Sequence, residues 1–325
     1  MNSHDVPTQL FSAAHQTDNP LEPTIFHESW WLDIATEGKC QFAEVVEKLK
    51  VIARLPYLAR KQHGLTFVVM PPLTHFLGPA IVEGEGKDNK QFLRRLDVTR
   101  ELIKQLPPTS SCSIKCHRDV TDVLAFQNQG FRSAVQFTHE IHPQSIDAVW
   151  KGMRDKGRNG IRQARDFLRL DYDLNANDFI SFYNVNLDRL GLKNSIDMGL
   201  VSRLLGAALS KNRGALFGAR DKAGKLASVI FCVWDDSSCY YLMSTRTNTA
   251  HRGATSLVLW EAISEAMRRG LIFDFDGIIS EGSARLAANF APTVAPRYIA
   301  TRESKAMRFW RAFQAARREP NYFCL

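Results

Sequence analysis

The chain has no apolar run long enough to span a membrane, and its first twenty residues are polar and turn-rich with no apolar core. Neither a membrane anchor nor a secretory leader is expected, and residues 1–23 read as a mobile segment of a cytoplasmic protein. Cysteine is sparse and scattered, at 40, 112, 116, 232, 239 and 325, and the one close set, Cys112 and Cys116, lacks the second pair that a zinc site needs. Alternation puts Cys112, Ile114 and Cys116 on one strand face, which favours buried reduced thiols over a metal site, and points His117 away from Cys116, which argues against a thiol nucleophile. The only close pair among 9 histidines, His139 and His142, has no third ligand nearby, so no metal is expected.

No charge sign dominates either. Forty-two lysines and arginines against 34 aspartates and glutamates give a net charge of +8, modest for 325 residues and signed toward acidic partners. A single-strand or duplex nucleic-acid motif is missing, and the aromatics fall at core-like spacing instead of between basic residues. The hydrophobic fraction of 45% is ample for a large core and suggests two packed domains.

Periodicity outlines these domains. Strands are expected at Leu49 to Leu55, Thr66 to Met70, Ser111 to His117 and Phe131 to His139. A Pro-Gly loop is expected from Pro71 to Pro79, and a helix from Asp88, as its cap, to Gln105. Clustered Trp30 and Trp31 read as packing residues. After Pro143 there is room for one helix of about 20 residues; helices at Asp178 to Leu190 and Met198 to Lys211 follow. Gly214 to Trp234 and Ser238 to Ser244 read as two strands around an Asp235-Ser238 turn, and Ser256 to Arg269 as a helix ending at Gly270. A last helix, Glu303 to Ala316, sets Met307, Trp310 and Phe313 against a side carrying Arg302, Lys305, Arg308 and Arg311, which face solvent, or an anionic lipid or substrate.

Two stretches carry chemistry. Phe273-Asp274-Phe275-Asp276-Gly277 is an apolar strand with two carboxylates on one face, followed by Ser280-Glu281-Gly282 and a periodic run from Ala284 to Phe290. Buried acids in such a run are costly unless hydrogen-bonded or useful, and both readings stand: Asp274 binding backbone donors with Asp276 capping a turn, or a catalytic site. Lys151, Arg154, Arg158, Arg162, Arg165 and Arg169 recur at helical steps beside Met153, Ile161, Ala164 and Leu168. They form a basic edge that is a solvated face or a phosphate contact.

The order hairpin, helix, acidic strand resembles the core of the GNAT acyltransferases. Four stretches together resemble the Fem-like branch: Phe26 to Leu32 (FHESWWL), Pro71 to Pro79 (PPLTHFLGP), Lys156 to Ala164 (KGRNGIRQA), and FDFDG leading to Asn289-Phe290. They span roughly residues 25 to 300. This resemblance implies an α/β (α+β) fold of two tandem GNAT-like modules, each a mixed, mostly antiparallel sheet flanked by helices. The modules are expected at 24–142 and 143–325, the second being catalytic. It implies an acyl-CoA thioester as donor, acetyl-CoA first, with no metal. Its pyrophosphate would meet Arg252, Gly253 and Ala254 in the loop Ala250 to Thr255, where Gly253 keeps the family pattern. The acceptor it implies is an amino or hydroxyl group on a nucleotide-linked or lipid-linked sugar in cell-envelope polysaccharide synthesis, at the inner face of the membrane. Lys156, Arg158, Arg162 and Asp274 would hold that acceptor. Asp276, or Glu281, would serve as base, and Tyr241 or Tyr240 as proton donor to the thiolate. The long antiparallel helical arm of the tRNA-dependent Fem enzymes has no counterpart in the sequence, which sets aminoacyl-tRNA as the alternative donor. A non-catalytic binding module is the other alternative.

Overall fold

The computed structural model describes residues 19–191, 193–194, 196–276 and 281–309. In chain order the elements are α1 (Ser29–Thr36), β1 (Gln41–Glu47), β2 (Lys50–Gln62), β3 (Leu65–Val69), β4 (Ala80–Ile81), α2 (Asp88–Lys104), β5 (Ser111–Lys115), α3 (Leu124–Asn128) and β6 (Arg132–Ile141). They continue as α4 (Ile146–Gly152), α5 (Asp155–Phe167), β7 (Leu168–Asp171), α6 (Ala176–Arg189), α7 (Met198–Ser210), β8 (Gly214–Asp221), β9 (Leu226–Trp234) and β10 (Ser238–Arg246). The series ends with α8 (Ala254–Arg268), β11 (Ile272–Asp274), α9 (Glu281–Ala287) and β12 (Thr293–Glu303).

Two compact units share the chain. Among the described residues, one holds 19–138 with 295–309, the other 139–294. This differs from the contiguous division at 142/143, because β12 pairs antiparallel with β5 over Ile299–Glu303 and so joins the N-terminal unit. A strand's partner far along the chain leaves no mark on its own periodicity.

In the N-terminal unit β1, β2 and β3 run antiparallel, β3 pairs parallel with β5, and β12 follows β5. Helix α2 lays Val98, Leu102 and Ile103 on this sheet, in one core with Leu55, Val68, Ile114 and Phe126. Cys112 and Cys116 lie in that core as free thiols, and burial pushes both up to about 12. Trp31 is fully buried. Strand β1 carries little legible periodicity because Phe42 and Val46 are both exposed, while its core side holds the small Ala43 and a half-buried Val45. The last helix is seen over 305–309, where Met307 is buried; Trp310, Arg311, Phe313 and the rest of that helix lie outside the described residues.

In the C-terminal unit the strand order is β6-β11-β10-β9-β8-β7, all neighbours antiparallel except β10 and β11. The segment expected as one strand from Gly214 to Trp234 is a hairpin: Asp221 Oδ1 accepts from the amides of Ala223 and Lys225, each at 2.9 Å, and Gly224 takes φ +79°. Nearly all of α8 is buried, with Leu257, Val258, Ile263 and Ala266 in one core with Ile230, Trp234 and Phe273. The single helix expected after Pro143 is two, α4 and α5, parted by extended backbone at Met153 and Arg154. The basic edge is thus not continuous.

Helix α5 crosses the start of α8 at unusually short range. A methyl group on Gly253 would collide with the Gly160 carbonyl oxygen and stand 3.1 Å from Cβ of Ala164, whereas one on Gly160 would meet nothing. Gly253 is therefore required by packing. Gly253→Ala should cost about 1–3 kcal/mol, while Gly160→Ala, inside a helix with open space around it, should gain about 0.5–1 kcal/mol. Urea denaturation of the two variants checks both signs.

Candidate active site

Strands β10 and β11 lie parallel for only three residue pairs, Ser238 with Ile272, Cys239 with Phe273 and Tyr240 with Asp274. Beyond Tyr240, β10 continues to Arg246 while β11 has ended, so the two part. A bulge between Tyr241 and Met243 takes β10 out of strict alternation there. Tyr241 then donates its hydroxyl to Ser244 Oγ at 2.5 Å, and both line a cleft of about 520 Å³. Tyr183, Asn186 and Leu187 of α6, Leu286 of α9, and Thr255 and Ser256 of α8 supply other walls. Asn186 is held by its bond to Thr245 Oγ1 at 3.0 Å.

The floor of this cleft is electropositive. Its described lining includes Arg246 and Arg252, both exposed, and no carboxylate. The first turn of α8 carries no acid and its N-cap, Gly253, offers no side-chain acceptor. The amides of Thr255 and Ser256, at the second and third helical positions, have no acceptor within the helix and carry the positive end of its dipole. Those of Gly253 and Ala254 differ: Gly253 N–H donates to Nδ1 of His251 at 3.1 Å, and Ala254 N–H to the His251 carbonyl at 2.9 Å. His251 is itself stacked on Phe167, 5.2 Å between ring centres. Of the three expected donor contacts only Arg252 reaches the cleft, and the amides left without an acceptor in the helix lie one and two residues further on than Ala254. Strict reading of the Gly pattern could not show this, because Gly253 is small for the sake of Gly160.

The two tyrosines separate. Tyr241 faces the cleft, and burial raises its phenol above the ordinary tyrosine range despite the Ser244 bond that opposes it, so the group keeps its proton. Tyr240 is fully buried and donates to Asp235 Oδ2 at 2.7 Å. Asp235 also ties the hairpin turn, its Oδ1 accepting from the amides of Ser237 and Ser238 at 2.9 and 2.8 Å. Tyr240 is a structural residue rather than an alternative proton donor.

Among the acids, Asp274 is fully buried in register with Glu140 of β6, and its Oδ1 accepts the Asp276 amide at 2.8 Å. Asp276 sits just past the end of β11 in left-handed backbone, φ +57°, half-buried. Glu281 opens α9, exposed, and pairs with Arg285 at 2.5 Å. None of the three is among the residues lining the cleft. Gly277 to Ser280, between the last two, lie outside the described residues.

The basic residues are dispersed. Arg158 is spent on α4: its Nη1 donates to the carbonyls of Trp150 and Lys151 at 3.2 and 2.7 Å, and its Nη2 pairs with Asp155. That closes the exposed end of α4. Arg162 lies over the Trp150 ring at 5.5 Å with Nη1 on Asn159 Oδ1 at 3.1 Å, and Lys156 is exposed. Arg165 pairs with Glu261 at 3.6 Å. Lys156 and Arg162 are exposed; Arg158 is half-buried, with its guanidinium committed to α4 and Asp155. Among the described residues no group of three or more His, Cys, Asp or Glu is placed to hold a metal, and no helix is long and apolar enough to cross a membrane.

A strand pair that parts beside a helix N-terminus is the arrangement to which the family comparison answers: residues 151–285 match the acetyltransferase (GNAT) domain. This segment is similar to a GNAT acetyltransferase domain. Among solved structures the chain is similar to FemX, with a TM-score of 0.62 and 13% identity over 84% of this chain and 90% of that one. It is similar to the C-terminal domain of a putative lysylphosphatidylglycerol synthetase from Agrobacterium fabrum, at 0.54 and 12% over 91% and 95%. It is also similar to L-PGS from Bacillus licheniformis, at 0.51 and 10% over 89% and 92%. No curated protein matches the chain. At these identities the likeness is one of fold, and it runs well beyond the GNAT domain into the N-terminal unit.

The split between the tyrosines is measurable. Tyr240→Phe removes a buried bond to a carboxylate and should cost about 1.5–3 kcal/mol of stability; Tyr241→Phe, losing a neutral hydroxyl pair, should cost about 1 kcal/mol or less. Denaturant titration of the two variants reads the difference.

Proposed function

We propose that the chain is an acyltransferase that moves an acyl group from a coenzyme A thioester to an amino or hydroxyl group of a sugar or glycan precursor in cell-envelope polysaccharide synthesis. The observation that carries this reading is the cleft opened where β10 leaves β11, ending on the acid-free first turn of α8 with Arg252 and Arg246 beside it. Diphosphate suits that end, since free amides, the helix dipole and two guanidinium groups all favour an anion. The match of residues 151–285 to the GNAT domain supports a thioester donor. Between Ile141 and Leu168 the chain makes only α4 and α5, of 7 and 13 residues, which leaves no paired helical arm there for a tRNA.

In this reading the acceptor's nitrogen or oxygen attacks the thioester carbonyl and hands its proton to Asp276, at the open end of β11. The C–S bond breaks and the thiolate takes the phenolic proton of Tyr241, which burial has kept in place. The edge of β10 that β11 has left supplies backbone donors for the oxyanion. Glu281 is the second choice as base, its carboxylate being occupied by Arg285. Lys156 and Arg162 are the acceptor-phosphate contacts the reading retains. The sugar-linked acceptor and a site of action at the inner face of the membrane rest on the Fem-like resemblance.

Two substitutions test donor and chemistry separately. Ser256→Asp puts a carboxylate where α8 welcomes one, so the unliganded protein should melt no lower than wild type, while acetyl-CoA affinity measured by titration calorimetry should fall about tenfold or more. Asp276→Asn removes a proton acceptor at constant volume and should lower kcat at least about tenfold, near 1.4 kcal/mol of barrier, with a small change in KM for acyl-CoA. If neither acetyl-CoA nor longer acyl-CoAs give a heat or a thermal shift with wild-type protein, and aminoacyl-tRNA does, the donor is the aminoacyl ester.

A further inference from the structure

The β1–β2 hairpin of the N-terminal unit closes between the paired residues Glu47 and Lys50, so its loop is Lys48-Leu49 alone. Both residues have positive φ, +49° and +64°. Two-residue hairpin loops of this hand strongly prefer Asn-Gly or Asp-Gly, because other residues crowd their own backbone there. The next hairpin of the same unit obeys that preference, with His63-Gly64 at its tip. Leu49 breaks it twice over. It takes the left-handed backbone without being Gly or Asn, and its side chain is 99% exposed, in contact with essentially nothing of the protein. Folding gains nothing from a leucine here, so its role is to be sought outside the fold.

Its neighbours say what that is. Strand β4 runs antiparallel to β2, with Ile81 opposite Ala53 and Val82 N–H bonded to the Ile52 carbonyl at 2.8 Å, so on leaving β4 the chain heads toward the hairpin tip. Helix α2 starts there, and Arg94 ties it to the hairpin through Glu47 at 3.4 Å. Leu93 and Val46, each 57% exposed, extend the apolar surface of this end. The exposed lysines of this end are 48 and 50, flanking Leu49, and 87 and 90 at the start of α2; Glu47 is matched by Arg94 and Glu83 by Arg95, which leaves Glu85 and Asp88 as the other exposed acids here. A projecting aliphatic tip flanked by lysines is complementary to a surface that is apolar within and anionic at its rim.

We infer that the β1–β2 tip docks the protein on an anionic lipid bilayer, Leu49 entering the acyl boundary and the lysines meeting the headgroups. A protein partner would have to present both features in one flat patch; a bilayer presents them everywhere. The inference goes beyond the acyl-transfer reading and does not depend on it, since membrane docking is read without turnover.

Co-sedimentation of the full chain with vesicles of mixed phosphatidylcholine and phosphatidylserine, against pure phosphatidylcholine, is the test. Wild-type protein should bind the anionic vesicles and release as salt rises. Leu49→Asn should weaken binding about tenfold while its thermal midpoint stays level or rises, because Asn accepts the left-handed backbone. Lys48→Gln with Lys50→Gln should weaken binding about tenfold at low salt and flatten the salt dependence. Absence of wild-type binding, or equal binding by Leu49→Asn, overturns the proposal. So does light scattering that shows a wild-type dimer turned monomeric by Leu49→Asn, which would make the tip a contact between two copies.

Discussion

The contact between α5 and the first turn of α8, so close that Gly253 has no room for a methyl group beside the Gly160 carbonyl, is the constraint on which the C-terminal unit's cleft depends. It fixes the start of α8 relative to the sheet, and so decides where the amides of Thr255 and Ser256 stand. A helix end bears useful partial charge only if it is held where the ligand arrives and kept clear of the protein's own acids. Here the loop behind it is braced as well: His251 accepts from Gly253, caps Ala254 and stacks on Phe167. The start of α8 is positioned by packing rather than by charged side chains.

The parting of β10 and β11 supplies the other half. Three residue pairs join the strands; then the bulge at Tyr241 turns a side chain that alternation would align with Met243 toward Ser244 and the open edge. Tyr240, one residue earlier, still inside the paired region, is buried against Asp235 and holds the hairpin turn. Adjacent tyrosines therefore divide into one that stabilises the strand and one that faces the cleft, and the end of the strand pairing draws the line between them.

Much of this was legible in the residues. The hairpin around Asp235, the helix starting near Ser256 and ending at Gly270, the strand into Asp274, the burial of Cys112 and Cys116 and the helix over Asp88–Lys104 all follow from period and turn chemistry, which are local; Asp88, expected as its cap, is instead its first residue, behind Lys87. What failed was non-local or hidden by symmetry of signal. Arg158 looks like Arg162 in sequence, yet α4 ends where its guanidinium can reach two carbonyls. Gly253 looks like a ligand glycine and is a packing glycine. Strand β1 leaves Phe42 and Val46 exposed, and β12 declares its partner, β5, nowhere in its own pattern.

The return of β12 to the N-terminal unit also governs the order in which the protein can be made. As the chain leaves the ribosome, β5 emerges with one edge open and must wait through the whole synthesis of residues 139–294 before its neighbour Ile299–Glu303 arrives. The C-terminal unit, encoded within that interval, has the segments of its own sheet and of α8 in hand first. The unit that begins the chain is the last to be completed, and during that interval its unpaired β5 edge is open to other chains.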